Sequence, residues 1–113
     1  MLVPVPSRRK SIRKRGYDAV GELTVGIARV CGMPVESPLR TVGRNEQKAL
    51  SYEGRLKNVA GRFKLTIPCS ISKATVVLID DVFTTGATLS ECSRLLKTAG
   101  AQEVFCLSFA MEL

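Results

Sequence analysis

The sequence predicts an α/β fold: a largely parallel sheet flanked by helices. Three observations carry that prediction. An apolar run at Val76-Val77-Leu78-Ile79 has the length and composition of a buried central strand. The segment Ala87–Ala99 repeats apolar residues at Leu89, Cys92, Leu95, Leu96 and Ala99, which is helical spacing. Along the chain such strands alternate with such helices, and that order builds parallel sheets.

Each element has its own local reason. "LVPVP" (2–6) reads as a short buried strand, with prolines tolerated at its end or edge. From Tyr17 to Cys31, Val20, Leu23, Ile27 and Val30 recur at helical intervals, and Gly32 and Pro34 follow as stop signals. Residues 35–42 suggest another short strand. Residues 43–54, "GRNEQKALSYEG", are polar and without a period, so they read as an exposed loop. Ser51 is placed to cap a short helix over 52–60. "RFKLTI" (62–67) alternates as a half-exposed strand does. The central strand is expected over 75–79, and Gly100 is a natural stop for the helix after it. Val104–Met111 reads as the last strand. No internal repeat or low-complexity tract is present.

The 113 residues suit one domain. No apolar run approaches the roughly 20 residues that cross a bilayer, and the start MLVPVPSRRK is too short in its apolar part for a secretory signal. A cytoplasmic location with no membrane contact is expected. The four cysteines, Cys31, Cys69, Cys92 and Cys106, lack metal-finger spacing and read as small buried residues. There is no histidine, which removes Ser-His and Cys-His nucleophiles. The net charge of +7 is uneven. Residues 1–64 carry fourteen basic and five acidic side chains, whereas residues 65–113 carry three and five. The excess lies in SRRKSIRKR (7–15) and along Arg40–Lys64. Such a face attracts phosphates, on nucleic acid or on a small polyanion, or is simply a solvated basic surface.

The stretch after the central strand is the most informative. Asp80 and Asp81 stand side by side at its carboxyl end, where open parallel sheets bind ligands. Thr84, Thr85, Gly86, Ala87 and Thr88 follow as a threonine-rich turn into a helix. Backbone N–H groups converging at that helix start suit an anion, and the threonines add hydroxyl donors. Carboxylates repel a phosphate but accept hydrogen bonds from hydroxyls, so a sugar carrying a phosphate matches both halves. A P-loop ATPase needs G-x-x-x-x-G-K-[ST], and a dinucleotide fold needs G-x-G-x-x-G; neither motif is present.

"VVLIDDVFTTGATL" (76–89) resembles the phosphoribosyl-pyrophosphate (PRPP) binding motif of type I phosphoribosyltransferases. "VPVPSRRKSIRKRGYD" (3–18) resembles the "PVP…R…RGFNQ" segment of the ComF family of competence-related phosphoribosyltransferase-like proteins. "EQKALSYEGRLKNVAGRFKL" (46–65) resembles that family's "QxGLsxxeRxxNvxgaF". The resemblance covers nearly the whole chain. It implies a type I phosphoribosyltransferase-like, Rossmann-like domain over 1–113, without the family's N-terminal zinc segment and with a flexible lid about 43–54.

The resemblance also implies roles. Asp80 and Asp81 would be the catalytic acids that hold the ribose hydroxyls, and Thr84 to Thr88 would hold the 5-phosphate. Ser7, Arg8 and Arg9 would face the pyrophosphate. Glu46, Gln47 and Lys48 would form the lid, with Arg55–Asn58 helping to seat it. Mg²⁺ would be held mainly by the substrate, with no direct protein ligand. Two departures stand out: "RGFNQ" reads Arg15-Gly16-Tyr17-Asp18-Ala19, and the lid's glycine is Ala49. Three functions compete: phosphoribosyl transfer to an unidentified acceptor, PRPP binding without turnover, and a nucleic-acid-associated factor in DNA uptake touching single-stranded DNA or a competence protein. A homodimer is a further expectation, from an exposed sheet edge.

Overall fold

The structure is a computed structural model that describes residues 1–7, 12–14, 16–42, 61–66, 70–83 and 85–112. Its elements run β1 (Leu2–Pro4), α1 (Ala19–Cys31), β2 (Leu39–Thr41), β3 (Phe63–Leu65), β4 (Thr75–Phe83), α2 (Ala87–Thr98) and β5 (Glu103–Met111). Strands β1, β4 and β5 form a parallel sheet in that spatial order, with β4 in the middle. The expected parallel sheet is therefore present. Beside it, β2 and β3 pair antiparallel as a separate two-stranded ladder.

Alternation along β4 makes the layers. Val76 and Leu78 point to one face and join Leu89, Cys92 and Leu96 of α2 in a core cluster. Phe63 and Leu39 bring the β2–β3 ladder into that same cluster. Ile79 points to the other face and packs with Leu2 and with Val20 of α1. Val76, Leu78, Ile79 and Leu96 are wholly buried, and each such side chain contributes about 1.5–3 kcal/mol. One helix thus lies on each face of a three-stranded sheet.

Both helices carry local signals. Asp18 caps α1, its Oδ1 accepting from the Gly21 N–H at 3.1 Å. Gly32 ends α1 in the left-handed region, at φ 68°. On α2, Leu89, Cys92 and Leu96 are buried as the spacing predicts, and Gly100 takes φ 101° just past its end.

Several expectations shift. Val30 is exposed rather than in the core. It lies on the last turn of α1, where the strip that faces the sheet is formed by Ile27 and Ala28. Of the cysteines, Cys92 is buried while Cys31 and Cys106 are exposed, and Cys69 lies outside the described residues. The expected helix over 52–60 and the lid also lie outside them. No helix among the described residues is long and apolar enough to cross a membrane.

Candidate functional site

The central strand is longer than its apolar run. Pairing with β1 stops at Pro4 opposite Ile79, and the Val5 N–H closes that side by donating to the Ile79 carbonyl at 2.8 Å. Pairing with β5 continues through Asp80 opposite Ser108 and Phe83 opposite Met111. The acid pair is therefore held within regular strand rather than in a loop after it. It sits where one neighbour has ended and the other persists, at the carboxyl edge of the sheet.

Alternation sets the two side chains on opposite parities of β4, yet the Asp81 carboxyl stays close enough to act on that of Asp80. Asp80 shares the α2 face of β4 and lines a small concavity of about 30 Å³ with Gly86, Thr88 and Leu89. Asp81, one residue on, is directed to the opposite face by the strand period. Each turns one oxygen to the next backbone N–H: Asp80 Oδ1 accepts from Asp81 at 2.9 Å, and Asp81 Oδ1 accepts from Val82 at 2.9 Å. Partial burial pushes the Asp80 carboxyl up from 3.8 to about 6. The Asp81 N–H bond opposes that rise, while the Asp81 carboxyl beside it adds to it. Asp80 still carries its charge for the most part at neutral pH, and it is a better proton acceptor than an ordinary aspartate.

The turn into α2 is built for close approach. Gly86 is the residue before the helix, with φ 79° and ψ 0°. A Cβ there would stand 2.9 Å from Cε2 and 3.0 Å from Cζ of the Phe83 ring. Both the left-handed backbone and the ring require glycine. Thr85 Oγ1 accepts from the Ala87 N–H at 3.2 Å, and the Gly86 carbonyl takes the first helical bond from Ser90 at 2.9 Å. The N–H groups of Thr88 and Leu89 belong to the first turn, which has no preceding carbonyls to bond. No acidic residue stands in that turn, so the positive end of α2 is left for an anion.

Of the sequence-predicted residues, the structure brings Asp80, Gly86 and Thr88 around one concavity, with Thr85 and Ala87 in the adjoining turn. Thr84, Arg8, Arg9, Glu46, Gln47, Lys48 and the Arg55–Asn58 segment lie outside the described residues. Ser7 is described, and its Oγ lies 3.3 Å from Asp18 Oδ1. In the sequence Asp18 stands out only as a departure from "RGFNQ". In the structure it both caps α1 and accepts from Ser7 Oγ, three residues past the end of β1, and its position just before the periodic run is the available signal. Phe83, the wall behind Gly86, had no such signal. Cys92 is buried in the core cluster with Leu89, which lines the concavity. Burial first, then the charges of Asp80, Glu91 and Cys106, push its thiol up to about 12, which makes it an inert packing group.

A larger open groove of about 800 Å³ runs along α1, lined among others by Pro4, Tyr17, Glu22, Val25 and Arg29. It contains neither the acid pair nor the threonine turn. The small concavity is the better candidate because sugar and phosphate recognition depend on converging donors and acceptors, and volume alone does not supply them.

Comparison with known proteins gives the family and agrees with the fold. The phosphoribosyl transferase domain family matches residues 42–111, and the chain belongs to that family. Within it, the sequence relatives include proteins named Competence protein F and Competence protein ComFC, as the motif resemblance implied. The chain is 31% identical over 106 residues to Competence protein F of Haemophilus influenzae, covering 91% of this chain and 46% of that one. It is 32% identical over 110 residues to the DNA utilization protein YhgH of Escherichia coli, covering 94% and 48%. The chain thus spans about half the length of the curated relatives it matches. Two solved structures share the fold. The allosteric regulatory enzyme of purine biosynthesis aligns with a TM-score of 0.66 at 24% identity, over 95% of this chain and 21% of its own. A purine phosphoribosyltransferase from Pyrococcus horikoshii aligns with a TM-score of 0.59 at 20% identity, over 97% and 60%.

Proposed function

We propose that the protein binds PRPP with Mg²⁺ and transfers its phosphoribosyl group to an acceptor, releasing pyrophosphate. The observation that carries this reading is the meeting of Asp80, Gly86 and Thr88 in one concavity at the end of a parallel strand. Asp80 and Asp81 take the ribose hydroxyls, and the Thr84–Thr88 turn takes the 5-phosphate. Ser7, Arg8 and Arg9 face the pyrophosphate, and Glu46, Gln47 and Lys48 close over it as a lid. Leaving of pyrophosphate from the anomeric carbon passes through an oxocarbenium-like state, as in glycoside cleavage. The chain's part is to hold the ribose, neutralise the leaving group and exclude water, and none of these needs a histidine.

Among the described residues no three His, Cys, Asp or Glu side chains gather as a metal cage. Mg²⁺ would be held mainly by substrate oxygens and water, with Asp80 and Asp81 taking the ribose hydroxyls rather than the ion. The ion would neutralise the departing pyrophosphate. A cytoplasmic location goes with this reading, since free thiols persist in a reducing compartment.

Calorimetry of PRPP with Mg²⁺, against ribose 5-phosphate and pyrophosphate alone, tests the assignment. PRPP should bind more tightly than either fragment, and Asp80→Asn combined with Asp81→Asn should abolish its binding. Unchanged affinity in that double variant sinks the reading. A second reading, a nucleic-acid-associated factor, draws on the basic segment 7–15 and on the name of the Escherichia coli relative. PRPP binding without turnover is the outcome if the site binds but no acceptor releases pyrophosphate.

A further inference from the structure

Phe83 is turned against the pleat of its own strand. By alternation it shares the parity of Ile79, which belongs to the α1 side of the sheet. Its ring packs instead with the core cluster of Val76, Leu78, Leu89 and Cys92, on the α2 side. There it lines the small concavity together with Asp80, Gly86 and Thr88. The ring edge fills the space that a side chain at Gly86 would take, with Cε2 and Cζ 2.9 and 3.0 Å from the position of a Cβ. A ring seated on a glycine at φ 79° restrains both partners, because neither can move without opening a gap or a clash.

The backbone of Phe83 is anchored independently of that turn. It is the last residue of β4 and pairs with Met111 of β5. Its carbonyl accepts from the Glu112 N–H at 2.9 Å. The turn has weaker ties of its own. Gly86 gives α2 no side-chain cap, and the bond from the Ala87 N–H to Thr85 Oγ1 is internal to the turn. A fixed strand end thus meets a turn that needs support, and the ring joins them.

We infer that Phe83 is a positioning residue whose ring braces the Gly86 turn, so that the first N–H groups of α2 stand converged before a phosphate arrives. This rests on the PRPP reading and extends it to a residue that acts through the turn. The physical reason is preorganisation. Donors already fixed in place act on an anion directly, whereas a loose turn must first be ordered. Ordering the backbone of one residue costs about as much as a tenfold change in affinity. Asp80 lines the same concavity, so the brace also sets the spacing between the acid that takes the ribose and the turn that takes its phosphate. The residues proposed to face pyrophosphate follow β1, a different strand. The effect is therefore expected at one end of the ligand.

Calorimetry of ribose 5-phosphate and, separately, of pyrophosphate, each with Mg²⁺ and the full chain, tests this beside NMR order parameters of the ligand-free backbone over 86–89. Phe83→Ala should weaken ribose 5-phosphate about tenfold or more. It should leave pyrophosphate unchanged and lower the order parameters of the turn. Phe83→Leu keeps part of the contact and should fall between; it replaces the alanine variant if circular dichroism shows that Phe83→Ala does not fold. Phe105→Ala removes an exposed ring on β5, paired beside Val77 and away from the turn, and should change none of the three readouts. If the wild type and the Phe83 variants bind ribose 5-phosphate alike, or if both fragments weaken together, the brace is refuted while the PRPP reading stands. A loss of ribose 5-phosphate with unchanged order parameters gives the ring to the ligand rather than to the turn, and also overturns the inference. A wild type that binds no ribose 5-phosphate fails the PRPP reading, and this inference with it.

Discussion

At the scale of single residues, the site is a compromise between binding and stability. Asp80 is held partly out of water beside a second carboxyl, which pushes it up to about 6. The sign follows from linkage. A carboxyl whose folded value lies above its unfolded value favours the folded state at low pH and loses that contribution as pH rises from about 4 through about 6. Asp80→Asn keeps an oxygen for the Asp81 N–H while removing the charge. It should raise the melting temperature at pH 7.5, by an amount on the order of 4 °C for a domain of this size, and leave it nearly unchanged at pH 4. The same substitution should weaken PRPP binding. A variant that loses affinity while gaining stability separates a functional role from a structural one. Gly86→Ala should do the opposite, weakening both. The Phe83 ring occupies the place of the new methyl, and φ 79° disfavours it, so a loss of about 1–3 kcal/mol in urea unfolding is expected. No loss would mean that Phe83 swings away without cost.

At the scale of elements, the sequence revealed what depends on local pattern and obscured what depends on pairing. Helix α2 was legible because Leu89, Cys92 and Leu96 alone define its buried face. The reach of β4 was not. The apolar run stops at Ile79, but β5 continues the ladder to Phe83, and no local signal in Asp80-Asp81 announces a partner strand. The residues of the acid and threonine motif were legible as chemistry. The assignment of Asp80 to the α2 face required the structure, because it depends on which parity of β4 meets which helix. The role of Asp18 was hidden for the same reason, since Ser7 reaches it across eleven positions of sequence. Asp18→Ala should remove the cap of α1 and the tether of Ser7 together. The cap alone is worth about 1 kcal/mol, measurable by urea unfolding. Asp18→Asn keeps an oxygen for the Gly21 N–H and should restore most of that stability. If alanine and asparagine destabilise equally, the carboxylate charge matters beyond the cap.

At the scale of the whole molecule, charge is the property that a sugar-phosphate site does not fully explain. The chain carries +7, and the excess is in its first 64 residues. Of the segment 7–15, Arg13 and Lys14 are among the described residues, and both are exposed. Of the six cations in SRRKSIRKR, only Arg8 and Arg9 are proposed to face the pyrophosphate. Single-stranded DNA would use the remainder, and its signature is counterion release, a slope in log K against log salt of about −0.7 per phosphate neutralised. The expected outcome for the nucleic-acid reading is binding whose slope is roughly −3, for about four phosphates, and which flattens when Arg8, Arg9, Arg13 and Arg15 are replaced by glutamine. Arg8 and Arg9 are also the residues proposed to face pyrophosphate. If one surface serves both ligands, pyrophosphate should displace the DNA competitively and the glutamine variant should lose both. If the DNA binds but pyrophosphate leaves it in place, the basic segment is a separate surface and the two functions are carried side by side. Binding that is absent, or indifferent to salt, removes the nucleic-acid reading and leaves the charge to the substrate's own phosphates.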